Sequence, residues 1–204
     1  QFVCVADSEA DIYELIEESQ QEPRPDWVIR ACQDRALKEE EKQEVSDKQA
    51  NHLRGRVLAT EVLFGQTINV RGRKAKVESD KRARRQPRES RTAEVEVRAT
   101  SVTLRAPWRH DRKLKDVTVN VVLVTEVNPP DDDIPVEWLL LTSLPIDEIE
   151  QVRTVTQYYC VRWMIEVFFR TSFSFSDPAT SILEEFRKRI PKSIFSRPSK
   201  LSST

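Results

Sequence analysis

The chain has 204 residues, of which 38% are hydrophobic and 33% charged, and its formal net charge is -1. That length suits one ordinary domain, or one domain carrying an insertion, with a polar exterior. No apolar run approaches the roughly 18 residues that a membrane span needs, and a balanced charge leaves nucleic-acid binding to be decided by local patterning.

The first elements read as strand, helix, strand. Phe2 to Ala6 read as a buried strand that ends at Asp7. Ser8 is expected to open a helix, with Asp11 three residues later in capping-box position and Ile12, Tyr13, Leu15 and Ile16 on its apolar side. The stretch "EPRPD" breaks this helix, and "WVIRA" is the next strand. A βαβ unit of this kind delivers Asp7 at the C-terminal edge of its first strand, where open α/β sheets bind ligands. A capping or turn role is the plainer reading of the same aspartate.

Residues 34 to 51 are charged and nearly free of core residues, as in a solvated helix or loop, and "RVLATEVLF" reads as a short amphipathic helix. From Gln66 onward the period changes to two: "TINV", "AEVEVRA", "SVTLRA" and "VTVNVVLVTEV" are strand-like. "NPPDDDIP" is a turn-rich loop before another strand, "EWLLLTS", and a helix is expected from about Asp147 to Arg170. Between Arg71 and Arg91 the chain holds ten Lys/Arg against three Asp/Glu. This stretch is either a solvated hairpin loop or a phosphate contact, with Arg82, Arg84 and Arg85 the main contributors. After Arg170 comes a serine- and proline-rich tail with no sustained stripe, expected to be disordered or read in a shifted frame.

Cys4, Cys32 and Cys160 are odd in number and far apart, and with His52 and His110 they offer no zinc spacing. A reducing cytoplasmic setting follows as the simple expectation. No secretory signal is recognisable. The chain starts at Gln1 and its one methionine is Met164, so it is expected to be an internal piece of a longer protein.

Near the end, "YYCVRWMIEVFFR" places Tyr159, Arg162 and Glu166 three and then four apart, on one side of a helix. Glu166 is then either an ion-pair partner of Arg162 or part of a reaction centre. Together with "VADSEADIYELI" and "VNPPDDDIPVEWLLLTSLPI", in this order and separation, the stretch resembles the insertion-sequence transposases of the IS-four type, a DDE-class family. The resemblance covers about residues 2 to 171.

The resemblance implies an α/β fold: a partial RNase-H-like core with a β-stranded insertion before the last catalytic helix. Residues 1–34 would start the core, 35–143 would be linker and β-rich insertion, 144–171 the catalytic helix, and 172–204 a divergent tail. It also implies DNA transposition by metal-dependent cleavage and strand transfer. Asp7 matches the second aspartate and Glu166 the glutamate of a carboxylate triad that holds two Mg²⁺ ions about 3.5–4 Å apart. The first aspartate would precede Gln1, so the chain alone is expected to be inactive.

Tyr159 and Arg162 would bind the phosphate next to the cut. Trp138 matches a tryptophan that in a relative receives a flipped base, although a core position beside Leu139 and Leu141 is the plain alternative. Arg30 and Arg170 match basic DNA contacts, and Phe173 stands where the family carries a lysine. The implied partners are transposon-end DNA and a second copy in a dimer, without any membrane, in a bacterial cytoplasm at the nucleoid. A non-catalytic DNA binder, an inhibitor that poisons a transposase dimer, and a decayed gene product are the competing expectations, as is a nuclease of another RNase-H-like family.

Overall fold

In the computed structural model, the described residues are 2–21, 24–38, 51–70, 72, 89–131 and 133–172, with side chains described through residue 162. Contacts divide the chain into one compact unit over residues 1–162 and a second over 163–204. Arg82, Arg84 and Arg85, most of the basic stretch, the greater part of residues 34–51 and the tail after Ser172 lie outside the described residues.

The first unit is a mixed α/β structure built on a six-stranded sheet: β1 (Val3–Ala6), β2 (Asp26–Arg30), β3 (Phe64–Val70), β4 (Arg91–Leu104), β5 (Val117–Glu126) and β6 (Glu137–Thr142). The spatial order is β1-β2-β6-β5-β4-β3. Only β1 and β2 run parallel; the other neighbours are antiparallel. A parallel pair needs a crossover, here α1 (Tyr13–Glu18). The strands from the middle of the chain thus continue the same sheet that β1 and β2 begin.

Both faces of the central strands are covered. On one face, Tyr13 and Ile16 of α1 and Leu53 and Val57 of α2 (Leu53–Leu58) pack with Trp27, Ile29, Val121, Leu123, Leu139 and Leu141. On the other, Val152, Val155 and Tyr159 of α3 (Ile149–Ser172) meet Val28, Val122, Val124 and Leu140. This double coverage explains the unbroken apolar run of β5, since alternation is lost when neither face meets water. Covering each such side chain stabilises the fold by roughly 1.5–3 kcal/mol.

Several local expectations give way to tertiary contacts. No helix starts at Ser8: residues Ser8–Ala10 make one 3-10 turn capped by the Asp7 side chain, and α1 begins only at Tyr13. Asp11 takes no part in a capping box. Its carboxylate is buried and accepts hydrogen bonds from the backbone N–H groups of Cys32 and Gln33 and from Arg35. Of the four apolar residues expected on that helix, Tyr13 and Ile16 are buried whereas Ile12 and Leu15 stay about half exposed.

The second helix is Leu53–Leu58 rather than 56–64, because Phe64 is recruited into β3 opposite Val97. The two expected strands around Thr100 are one 14-residue strand, β4. Leu37, inside the stretch read as nearly coreless, is fully buried and bridges to Leu104. After β5 the chain turns at Asn128, whose φ of 52° suits an Asn-Pro corner. Among the described residues, no helix is long and apolar enough to cross a membrane.

Candidate functional site

Asp7 sits where β1 ends, with an extended backbone (φ -86°, ψ -177°). Its Oδ1 accepts from the Ser8 N–H at 2.9 Å, which is the capping role, and from the Tyr159 hydroxyl at 3.3 Å. Its Oδ2 lies 3.2 Å from Nη2 of Arg162. The capping role of Asp7 is therefore present, and the same carboxylate also meets Tyr159 and Arg162. Tyr159 and Arg162 come from one face of α3, one turn apart, and reach a residue more than 150 positions earlier in the chain.

Around this contact are the other basic and aromatic groups. The Trp138 ring meets Tyr159 edge-on, with centroids 5.1 Å apart, an arrangement that aromatic quadrupoles favour. Trp138 itself is half-buried against the α3 face of the sheet, so part of its surface serves the core and part remains open. Arg162 lies 5.7 Å over the Tyr159 ring. Arg30, the last residue of β2, donates to the Glu137 carbonyl at 3.2 Å. Burial pushes the Tyr159 phenol above its ordinary value, with the Asp7 charge adding to the rise; the charges of Arg30 and Arg162 work against it. Tyr159 is therefore a neutral hydroxyl at physiological pH, able to donate a hydrogen bond.

Two guanidinium groups, one hydroxyl and one carboxylate thus share a small region at the C-terminal edge of the parallel strands. The Asp7 side chain remains 40% exposed, whereas that of Arg162 is 12% exposed. A planar guanidinium that pairs with a carboxylate on one edge has further N–H groups with which to meet a phosphate oxygen.

Two neighbours were not singled out from sequence. Arg54 of α2 holds the Glu137 carboxylate with two hydrogen bonds, of 2.9 and 2.6 Å, and keeps that carboxyl below its usual range. Both flank a small depression of about 160 Å³ that Arg30 also lines. The i,i+4 pair Leu53 and Val57 was the available signal for a helix here; nothing local pairs Arg54 with a residue 83 positions on.

Glu166 and Arg170 fall on the last turns of α3, where side chains are outside the described residues. Two Mg²⁺ ions need several hard oxygen ligands. Asp7 alone of the expected ligands is described, and no group of three or more His, Cys, Asp or Glu suited to a metal occurs among the described residues. Both Asp7 oxygens are engaged by protein donors as well. The described residues do not by themselves make a two-metal site. No family model matches the chain.

Proposed function

We propose that this chain is part of a DNA transposase of the IS-four type, with an RNase-H-like core, and that Tyr159, Arg162 and Arg30 grip a DNA phosphate beside Asp7. The carrying observation is the convergence of Tyr159 and Arg162 on Asp7, the three residues that the family resemblance assigns to one site. The topology supports the same reading. The first strand of the parallel β1-α1-β2 unit leads into Asp7, and β1 is an edge strand of the described sheet, the side on which the strand with the first aspartate would pair.

The residues described do not carry the phosphoryl transfer by themselves. They bind and orient: Arg162 and Arg30 neutralise phosphate charge, and Tyr159, whose ring Trp138 meets edge-on, adds a hydroxyl donor. In the intact family site, Mg²⁺ would supply activation of the attacking oxygen, with Asp7 and Glu166 among its ligands. Transposon-end DNA, a dimeric partner and a bacterial cytoplasmic setting belong to this proposal. A second reading, a DNA binder without catalysis, is favoured by the engagement of both Asp7 oxygens.

The test is binding of a labelled duplex oligonucleotide across a salt series, followed by nicking with Mg²⁺. Affinity is expected to fall linearly with salt on logarithmic axes, and Arg162→Gln to weaken binding and flatten that slope by about one unit. An Arg162→Gln protein that is folded and binds as well as the parent at every salt concentration would sink the phosphate-grip reading. Nicking that requires Mg²⁺ and disappears in Asp7→Asn selects the enzyme; binding without nicking selects the second reading.

A further inference from the structure

The loop joining β4 to β5, residues 105–116, holds five Lys/Arg against two Asp and carries the most exposed tryptophan described, Trp108, with 72% of its surface open. The strand ends that carry it lie away from the level of Asp7. Along the paired rows of the sheet, Asp7 follows Ala6 toward one end of the strands, whereas β4 ends and β5 begins toward the other. Five strand positions separate the two levels, about 17 Å.

The base of this loop is firmly held. Leu114 is buried in the core beneath α1. The Ala106 N–H donates to Asp116 at 2.9 Å, the Lys115 N–H to Glu17 at 2.9 Å, and Arg109 to Glu14 at 2.7 Å. The Tyr13 hydroxyl donates to the Lys115 carbonyl, also at 2.9 Å. Trp108 is thus presented outward from a stapled base. Its indole meets the His110 ring edge-on, with centroids 4.0 Å apart, at a depression of about 620 Å³ that Arg112 and Lys113 also line.

An indole normally contributes to stability by burying its large apolar surface. Trp108 forgoes most of that contribution, while Lys113 and the half-exposed Arg112, whose Nη2 lies 3.9 Å from Glu14, bring cations to the same depression. A flat aromatic face beside Arg and Lys suits unpaired bases, because every base offers a π-face for stacking while its phosphate meets the cations. In a duplex those faces are already stacked. We infer that the β4–β5 loop is a binding site for single-stranded nucleic acid, with Trp108 as the stacking platform and Arg112 and Lys113 as phosphate contacts. This site is independent of the Asp7 cluster and needs no metal ion.

The experiment uses the full chain with a labelled thymidine 12-mer in metal-free buffer. Trp108→Ala is expected to lose about tenfold in affinity, and Trp108→Phe to keep most of it. An abasic 12-mer should bind the parent only as well as the 12-mer binds Trp108→Ala. Arg112→Gln and Lys113→Gln should each flatten the salt slope by about 0.7. In an Arg162→Gln background, Trp108→Ala should lose the same factor, since independent sites add. That result keeps the outcome separate from the phosphate grip at Asp7. The inference is overturned if the parent does not bind the 12-mer, if Trp108→Ala binds it equally well, or if the abasic strand matches the natural one. It is also overturned if Trp108→Ala leaves this binding intact and instead changes self-association in sedimentation, which would make the loop a contact between copies of the chain.

Discussion

Replacing Asp11 by alanine should cost the fold about 3–5 kcal/mol, because it breaks a buried ion pair and strands its partner. The Asp11 side chain is fully buried and that of Arg35 is 9% exposed, with 2.5 Å between Oδ1 and Nη2. The other oxygen, Oδ2, accepts from the N–H groups of Cys32 at 2.8 Å and Gln33 at 3.0 Å. Arg35 also donates to the Asp11 carbonyl and lies 5.5 Å over the Tyr13 ring. Alanine removes every acceptor on that side chain at once, leaving a guanidinium and two N–H groups without their partner. Urea unfolding is the measurement: the midpoint should fall with the slope unchanged. Combining Asp11→Ala with Arg35→Met should recover much of the loss, since no charge is then left stranded. A single-variant loss below about 1 kcal/mol would show the pair to be no more than a surface interaction.

The same clip bears on the candidate site. Cys32 and Gln33 follow Arg30 almost directly, so Asp11 fixes the path of the chain as it leaves β2. Arg30 owes its position beside Tyr159 partly to that anchor. Loss of the clip is therefore expected to weaken the proposed phosphate contact as well as the fold.

How much of this was legible in the sequence differs from element to element. Period-two alternation located β3 and most of β4, and β5 read as a strand from its apolar run, but its burial on both faces became visible only with the helices that cover it. Alternation did not reveal that β4 is continuous: Thr100 and Ser101 look like a break, yet they pair with Val121 and Asn120 in the middle of a long ladder. The role of Asp11 was hidden because aspartate serves equally well as a cap and as an acceptor for distant N–H groups. Its actual partners lie 21 and more positions away and leave no local trace. The three-residue spacing of Tyr159 and Arg162 put both on one helix face. Their meeting with Asp7 came from family resemblance, as no periodicity links residues so far apart. Trp108 was passed over for the converse reason: a lone tryptophan in a polar loop has no pattern, and its exposure becomes visible only once the loop base is seen to be stapled.

Arg91→Met should be comparably severe, and its cost should depend on pH. Arg91, at the start of β4, donates two N–H groups to the Glu126 carboxylate and its Nε–H to Asp133 at 3.1 Å. The Glu126 side chain is 2% exposed, and its Oε2 also accepts from the Val136 N–H at 2.8 Å. One guanidinium thus ties β4, the end of β5 and the turn that leads into β6. Methionine keeps much of the apolar stem but leaves a buried carboxylate unpaired, at about 3–5 kcal/mol near neutral pH. In the parent, the hydrogen bonds from Arg91 hold the Glu126 carboxyl below its ordinary 4.5. That stability is fully present above pH 4.5 and is lost as pH falls through the depressed value. In Arg91→Met the sign reverses: burial without a cation raises the carboxyl above its ordinary value, so acid neutralises the stranded charge and relieves the variant. The difference between parent and variant should accordingly be widest near neutrality and narrow as pH falls below about 5. Urea titrations at several pH values test this. A gap that stays constant with pH would mean that the loss comes from packing or from Asp133, and not from a buried Glu126 charge.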